Sequence, residues 1–536
     1  AQPTPCAARR MTRVGVTHRN FNQLHETMHK MPHTLRPTEP HSAADPPSSH
    51  QAIVVGGGPA GLVCAWRLKR AGHKVLLLEA AEQPGGNVRT ITDAGFTFEC
   101  GPHSFMGSAS GLLQLVDELG LTPALLPTRA AASARFIVRA GHPYRAPDGP
   151  ASFLTTGLLS PRAKLRLATE PLRRPAGDER DSALDFFRRR FGREGADILA
   201  GAFINGVYAG DPAELSAPAA FPLFWGFERN SGSMVRGALE RARSRRASGQ
   251  TTPRGLFSLQ GGLGTLTTTL ARELGDSYRG AAPVVSIAAE SLAAQGRAGD
   301  FLVTTPSHTY RAPQLILATP PGPAATLLAK LDAKLAGQLN SIPMAPVSVV
   351  HAGFNAPLRQ LPDGFGFLAA AGQGTESLGI LFPSRLFDDR LPGSAGVHPG
   401  DLLCGFFGGR HQPQRCTLPA EELVELMCRD LNGLFGCQAR PDFVRVLRHS
   451  AAIPQLVVGH LERVKQIEDR LAASRSGRRG LTLAGNYLTG VGLKDAVQSG
   501  EDAAASVLVG LASAHNSRSR SRPEARSVAT AQQVSP

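Results

Sequence analysis

Three glycines and a glutamate have the spacing of a dinucleotide-binding turn. Gly56, Gly58 and Gly61 follow the apolar run Ala52–Val55 and open a helical stretch of small residues. Gly56 permits the tight turn, Gly58 lets the backbone approach a pyrophosphate, and Gly61 lets the helix pack closely on the sheet. Glu79 ends the next apolar strand, where its carboxylate can accept hydrogen bonds from an adenosine ribose and would disfavour a 2′-phosphate. The pattern predicts a β-α-β unit that binds FAD or NAD.

Two further glycine-rich segments favour FAD. The segment Gln83–Thr90 contains Gly85-Gly86 and resembles the second glycine pair of FAD enzymes of the glutathione-reductase and amine-oxidase types. Near the C-terminus, the apolar strand Leu481–Ala484 leads to Asn486 and then to the turn Gly490–Leu493. Backbone donors and a helix dipole at this turn would stabilise a reduced flavin. No cysteine lies in the turn, so we expect non-covalent FAD.

Length and composition narrow the class of protein. The length of 536 residues predicts two to four domains or one discontinuous pair. The hydrophobic content of 42% is ordinary for a globular protein. The formal net charge of +15 suits an anionic partner, but no nucleic-acid module is found. Seven scattered cysteines form no CxxC pair, which argues for a reducing compartment and against a metal site. No apolar stretch is long enough to span a bilayer.

Hydrophobic patterning places further elements around these motifs. The predicted strands are Phe301–Thr305, Leu315–Thr319 and Val347–His351. The predicted helices are Gly111–Gly120, Ala183–Phe191, Leu263–Leu274, Glu421–Leu434 and Asp495 to about Leu511.

An ordered set of short segments carries a family resemblance. These segments are Glu99–Phe105, Gly206–Ser216, Gly364–Leu368, Ser384–Phe387 and Ala484–Gly500. Together with the glycine motifs they resemble the protoporphyrinogen oxidases of the flavin amine oxidase superfamily, over roughly residues 51–510. No single segment would establish the resemblance, but the order and spacing do.

The resemblance implies an α/β (α+β) fold. We expect an FAD-binding Rossmann-like domain of glutathione-reductase type at 51–110, 250–340 and 455–511. An interleaved mixed-sheet substrate domain would occupy 111–249 and 341–454, with a helical membrane-associating subdomain at about 130–240. Residues 1–50 would be a disordered extension or a transit peptide, and residues 512–536 a disordered tail.

The resemblance also implies site residues by position. The residues expected to line FAD are Gly56, Gly57, Gly58, Pro59, Ala60, Gly61, Glu79, Ala80, Gly86, Asn87, Gly101, Pro102, His103, Ser104, Val284, Asn486, Val491, Gly492 and Leu493. The residues expected to contact substrate are Arg135, Leu361, Leu368, Phe387 and Asn205. The arginine would pair with a propionate, and the apolar side chains would enclose a flat macrocycle. Surface exposure of Arg135 and ordinary core packing of Leu368 and Phe387 are the alternatives. His103 is the candidate catalytic residue, either moving a proton or supporting the flavin through its backbone.

The activity implied is that of an FAD-dependent oxidase. It would remove six electrons from protoporphyrinogen IX to give protoporphyrin IX, with O2 as acceptor, in tetrapyrrole biosynthesis. His103, Asn205 and Asn87 depart from the family pattern, so coproporphyrinogen III remains a competing substrate. Two further hypotheses stay open: a different flavin enzyme, such as an amine oxidase or a carotenoid desaturase, and a non-catalytic flavin carrier.

Apolar and basic residues occur together in the segment that would contact a membrane. Phe153-Leu154, Leu158-Leu159, Pro161–Leu167 and Arg173-Arg174 could lie on an anionic bilayer. A solvated basic helix is the alternative. We expect a cytoplasmic protein at the inner membrane, or a plastid or mitochondrial protein if residues 1–50 are a transit peptide. Homodimerisation is a further expectation.

Overall fold

The computed structural model describes residues 47–247, 253, 255–292, 297–392, 400–474 and 480–520. Most of the predicted N-terminal extension and the last part of the predicted tail lie outside the described residues.

The strands are numbered in chain order. They are β1 (Ser48–Ser49), β2 (Ala52–Val55), β3 (Val75–Leu78), β4 (Thr90–Asp93), β5 (Phe96–Glu99), β6 (Phe105–Met106), β7 (Leu125–Pro127), β8 (Phe136–Arg139), β9 (His142–Arg145), β10 (Leu256–Leu259), β11 (Tyr278–Arg279), β12 (Ser286–Leu292), β13 (Arg297–Thr304), β14 (Thr309–Ala312), β15 (Gln314–Leu317), β16 (Met344–Phe354), β17 (Gly366–Ala369), β18 (Gly379–Leu381), β19 (Asp401–Gly408), β20 (Phe443–Pro454) and β21 (Gly480–Leu483).

The α-helices are numbered in the same way. They are α1 (Pro59–Arg70), α2 (Ser110–Glu118), α3 (Pro150–Thr155), α4 (Pro161–Ala168), α5 (Ala183–Gly195), α6 (Gly201–Phe203), α7 (Ala217–Ala220), α8 (Pro222–Ser231), α9 (Met234–Ala247), α10 (Gly264–Leu274), α11 (Pro321–Leu328), α12 (Ala333–Asn340), α13 (Pro383–Leu386), α14 (Ala420–Phe435), α15 (His460–Ser474) and α16 (Leu493–Arg520).

A five-stranded parallel sheet forms the cofactor end of the molecule. Its order is β11-β3-β2-β15-β21, so strands from three distant segments of the chain lie side by side. Every residue of β2, β3, β15 and β21 is buried. One face packs against α1, α10 and α16, and the other against α11, α12 and α15. Burial on both faces explains why these strands are continuous apolar runs rather than alternating ones.

A seven-stranded, mostly antiparallel sheet forms the second layer. Its order is β20-β16-β19-β18-β17-β8-β9, and only β17 and β8 run parallel. The amphipathic helix α14 covers one face, where Leu423 and Met427 pack on Leu403 and Phe407. Gly436, at φ +70°, ends this helix in the left-handed conformation that favours glycine. The opposite face carries a smaller buried cluster that includes Val349, Cys404 and half-buried Phe406.

The predicted elements are confirmed, with three corrections. The C-terminal helix runs over Leu493–Arg520, so the first residues of the predicted tail 512–536 are helical. Ser48–Ser49 pairs with β14, so the predicted disordered extension 1–50 reaches too far. Leu158 and Leu159 are buried in an apolar cluster beneath α4, so they cannot contact a membrane as predicted. For Ser48–Ser49 and for Leu158 and Leu159, tertiary contacts decided what local composition could not.

Candidate functional site

The glycines of the first turn serve two different purposes. Gly56 has φ +111°, and a Cβ there would lie 2.6 Å from the carbonyl oxygen of Ala318. A Cβ on Gly61 would lie 1.9 Å from the carbonyl oxygen of Gly56, so α1 packs directly on the turn. A Cβ on Gly58, in contrast, meets no atom of the described residues within 4 Å. Pro59, which has no N–H of its own, is the first residue of α1, so the N-terminus of the helix follows Gly58 directly. Gly56 and Gly61 must be glycine for the protein backbone to pack, whereas Gly58 leaves space for a ligand.

Glu79 lies against this turn at the end of β3. Its carboxylate accepts a hydrogen bond from the N–H of Gly57 and another from Ala81, the latter at 2.8 Å. The carbonyl of Glu79 accepts from the N–H of Ala282 at 2.8 Å. Val284, two residues further on, packs against the apolar core of the same sheet. The predicted ribose-binding carboxylate and the predicted residue Val284 are thus on neighbouring segments.

The second glycine pair packs on the first turn. The Gly85 N–H donates to a carbonyl of the first turn at 2.7 Å. A Cβ on Gly86 would lie 3.5 Å from the Cα of Gly58. A Cβ on Gly101 would lie 2.5 Å from the carbonyl oxygen of Asn87. The structure therefore brings three separate predicted cofactor segments together through backbone contacts.

Unpaired polar groups at this edge fit a bound nucleotide. The buried hydroxyls of Tyr278 and Thr319 have no hydrogen-bond partner among the described residues. Burial and the neighbouring Glu79 raise the pKa of Tyr278 to about 12, so this hydroxyl remains a donor. Ala80 is exposed beside them. Thr319 lies against Gly56 of the first turn and Tyr278 lies near Glu79, so both hydroxyls belong to the edge where a dinucleotide would bind.

The C-terminal turn is held by its own side chains. The Asn486 side-chain N–H donates to the carbonyl of Val491 at 2.9 Å. The Asp495 carboxylate accepts from the N–H groups of Val491 at 3.2 Å and Gly492 at 2.9 Å. These contacts fix the residues that precede Leu493, where α16 begins. Asp495 is a residue that sequence reasoning missed.

The first turn and the C-terminal turn lie at the same sheet edge. Both follow parallel strands, β2 and β21, which flank β15. A Cβ on Gly500 of α16 would lie 2.4 Å from the carbonyl oxygen of Ala60 in α1. Arg67 of α1 pairs with Glu501 of α16 at 2.7 Å. The carboxyl edge of an open parallel sheet is where such folds bind nucleotides.

His103 is buried between the two layers. Its Nε2 lies 3.3 Å from the Sγ of Cys404 on β19, and its ring centroid lies 6.0 Å from that of Phe406. Burial, then His351 and Arg390, hold the pKa of His103 well below its usual 6.5, so the imidazole is neutral at pH 7. The other predicted residues of this segment are half-buried: Gly101, Pro102 and Ser104.

The segments of two predicted substrate residues meet at the seven-stranded sheet, on the side away from α14. The Asn205 side-chain N–H donates to the carbonyl of Ala369 at 2.8 Å. A Cβ on Gly206 would lie 2.3 Å from a methyl carbon of Leu368. Leu368 and Phe406 are in register with the same residue of β18, so their side chains share one face. Phe406 in turn contacts His103, which connects this group to the cofactor segment.

The remaining predicted substrate residues are separated. Phe387 is fully buried in a small cluster that also includes Phe365. The Arg135 guanidinium is exposed and lies 5.4 Å from the Phe365 ring centroid. Leu361 is not brought to either group, because it packs in the cluster beneath α14 on the other sheet face. Its position resembles core packing rather than a pocket wall.

Sequence reasoning also missed the buried ion pair of Glu99 and Arg390. Both side chains are 1% exposed, and Arg390 Nη2 lies 3.2 Å from Glu99 Oε1. Burial raises the pKa of Glu99 to about 7 even though Arg390 opposes the shift. Glu99 stands in a recognised motif, but its partner is almost 300 residues away, and no spacing rule connects them.

Metal sites and membrane-spanning helices are not found among the described residues. In the part of the chain that the structure describes, no group of three or more His, Cys, Asp or Glu is arranged to hold a metal ion. Across the same described ranges, no helix combines the length and apolar character needed to cross a membrane.

Comparison with known proteins agrees with this geometry. The flavin containing amine oxidoreductase family matches residues 59–508. A chloroplastic protoporphyrinogen oxidase of Oryza sativa subsp. japonica is 32% identical over 486 residues, covering 86% of this chain and 88% of the rice protein. The human protoporphyrinogen oxidase is 30% identical over 480 residues, covering 85% of this chain and 98% of that protein. A crystal structure assigned as a protoporphyrinogen oxidase from an Exiguobacterium species has a TM-score of 0.72 at 26% identity, covering 87% of this chain and all of that chain.

The chain belongs to the flavin containing amine oxidoreductase family. It is an FAD-dependent oxidoreductase with a mixed α/β fold. Within that family, its relatives across plants and animals are protoporphyrinogen oxidases.

Proposed function

We propose that the protein oxidises protoporphyrinogen IX to protoporphyrin IX, using FAD and O2. The observation that carries the proposal is that Phe406 of the seven-stranded sheet contacts His103 of the cofactor segment and shares a sheet face with Leu368 of the substrate segment. The extent of similarity to protoporphyrinogen oxidases supports it. When bound, FAD would take two electrons from the substrate in each of three cycles and pass them to O2.

The protein's own residues would mainly orient the substrate. A porphyrinogen loses hydride readily, because the product cation is conjugated, so positioning matters more than strong acid or base catalysis. The apolar side chains of Leu368 and Phe406 suit the face of a macrocycle, and exposed Arg135 suits a peripheral carboxylate. Because burial holds the pKa of His103 well below 6.5, its neutral imidazole is only a weak proton acceptor. A backbone role for His103 at the cofactor is the alternative, and a His103→Gln variant that keeps full activity would support it.

The experiment compares two porphyrinogens. Protoporphyrinogen IX and coproporphyrinogen III differ in the number of carboxylates, so they test how many basic contacts the site provides. We expect faster porphyrin formation, followed by fluorescence, with protoporphyrinogen IX, together with O2 consumption and H2O2 release. Faster oxidation of coproporphyrinogen III would reassign the substrate. Oxidation of neither, by FAD-loaded protein, would contradict the proposal.

Membrane contact is a finer part of the proposal. The membrane face consists of exposed Leu154, Leu165 and Leu172 with exposed Arg162 and Arg173. These leucines are 69%, 66% and 80% exposed, which is costly for apolar side chains unless a partner covers them. Cationic groups beside exposed apolar groups suit an anionic lipid surface.

Vesicle flotation tests the membrane face. A Leu165→Glu/Leu172→Glu variant should lose binding to vesicles that contain phosphatidylglycerol, while Leu461→Glu, a similarly exposed leucine of α15, should not. Equal binding of both variants, or binding that ignores lipid charge, would contradict this part.

We also propose that the protein is located in an organelle and forms a homodimer. Several plant relatives are named chloroplastic or mitochondrial, which favours an organelle over the cytoplasm. Fusion of residues 1–50 to a fluorescent reporter would test it, with cytoplasmic fluorescence as the contrary result. Sedimentation of the purified protein would test the expected homodimer.

A further inference from the structure

We infer that the buried ion pair of Glu99 and Arg390 positions an aromatic wall of the substrate site against the cofactor-binding segment. The inference rests on the proposed function, because Phe387 is assigned to the substrate site by the family resemblance; its ring is 1% exposed and packs with Leu386 and Ala132. Both members act as positioning residues, since each works through the groups it holds rather than by contact with the substrate.

The Glu99 end of the pair belongs to the cofactor side. Glu99 is the last residue of β5, two residues before Gly101. Its carboxylate accepts from the hydroxyl of Thr90 at 2.7 Å and from the N–H of Leu263 at 2.9 Å. These contacts join the β4–β5 hairpin to the start of α10. Glu99 therefore holds the strand that delivers the Gly101–Ser104 segment.

The Arg390 end of the pair belongs to the substrate side. Its guanidinium carbon lies 5.0 Å from the ring centroid of Phe387, and its Nη2 donates to the hydroxyl of Ser258 at 2.8 Å. The carbonyl of Arg390 accepts from the N–H of Thr97 at 3.1 Å, a second link back to β5. A planar guanidinium can support an aromatic ring and bind a carboxylate at once, which a lysine cannot do.

Stability alone is a poor reason for such a pair. Desolvation of two charges offsets much of their attraction, and apolar residues often replace a buried pair without loss. Here the pair joins the strand before the cofactor segment to the loop that carries Phe387. Its geometry sets the distance between those two groups. This is a positioning role, which predicts effects on substrate binding beyond any effect on folding.

The first test replaces both charges at once. A Glu99→Leu/Arg390→Met variant removes both charges of the pair. Asp389, which also pairs with Arg390 at 3.1 Å, keeps its hydrogen bond from the N–H of Gly261, so the variant should fold and bind FAD, measured by visible absorbance. Its affinity for protoporphyrin IX, followed by fluorescence quenching, should fall at least roughly 10-fold, and KM should rise more than kcat falls. Arg445→Met is the control, because Arg445 is exposed and lies 3.9 Å from Asp93 on β4. A folded, FAD-loaded double variant with the parent's porphyrin affinity would overturn the inference.

A second variant decides the matter if the double variant does not fold. Arg390→Lys keeps the buried charge but removes the plane over Phe387. It should keep the parent's flavin content, with a lower thermal midpoint because one ammonium cannot replace every guanidinium contact, while KM rises several-fold; an unchanged KM would overturn the inference. Measurements on the parent protein distinguish failure of the proposed function from failure of the positioning role. If it neither binds porphyrin nor is reduced by porphyrinogen, the proposed function fails. If it does both and the variants match it, only the positioning role fails.

Discussion

The cofactor end and the substrate end of this protein are built from different kinds of contact. At the cofactor end, backbone meets backbone, and Gly56, Gly61 and Gly101 permit approaches that a side chain would block. At the substrate end, side chains from distant segments meet, as Asn205 does with Ala369. The difference teaches that cofactor binding should be sensitive to added atoms at glycines, whereas substrate binding should be sensitive to side-chain shape and position.

The sharpest contrast lies between two glycines of one turn. Gly61→Ala places a methyl group 1.9 Å from a backbone oxygen that cannot move away, so we expect loss of folded, FAD-containing protein. Gly58→Ala places its methyl group in space free of described protein atoms, so the apoprotein should keep its stability while FAD affinity falls roughly 10-fold or more. Flavin content and the thermal midpoint of the apoprotein measure both. A Gly61→Ala protein with normal flavin content would refute the packing account.

A buried histidine between the two regions predicts a pH effect. Burial lowers the pKa of His351 from 6.5 to about 3, so the unfolded chain binds the additional proton between these values. Its unfavourable contribution therefore grows as pH falls below 6.5, and reaches about 2 kcal/mol at pH 5. His351→Leu should remove this term, so its free energy of unfolding should drop less than the parent's between pH 7 and pH 5.

Urea unfolding at the two pH values gives the comparison. Glu99 has the opposite effect, because its pKa is raised to about 7 and its contribution to stability therefore falls as pH rises. Glu99 is present in both proteins, so this contribution cancels in the comparison. An equal pH dependence of parent and variant would mean that His351 is not held neutral by burial.

The smallest effect is expected on the substrate side. Gly206→Ala would place a methyl group 2.3 Å from Leu368, whose flexible side chain can move aside at a cost. We expect an unchanged flavin content and a rise in KM of roughly 10-fold. Gly226→Ala, in helix α8 and without a described atom within 4 Å of its Cβ, is the matched control. A loss of flavin in Gly206→Ala but not in Gly226→Ala would show that the substrate end and the cofactor end are not independent.

The same difference explains what the sequence could predict. The turn at Gly56–Gly61 was predictable because its glycine spacing reports local backbone geometry. The resemblance placed the segments that contain β2, β15 and β21 in one FAD-binding domain, and in the structure β15 pairs with both β2 and β21. The Glu99–Arg390 pair was not, because nothing local marks two residues that meet only after the chain has folded. Leu158 and Leu159 were misread for the same reason, since burial beneath α4 depends on distant segments.

Anaerobic mixing of the FAD-loaded protein with protoporphyrinogen IX tests the central claim most directly. The account predicts that the visible flavin band bleaches within the mixing experiment, that porphyrin fluorescence appears, and that admitted air restores the band. A flavin that stays oxidised with both protoporphyrinogen IX and coproporphyrinogen III, while dithionite reduces it, would contradict the account.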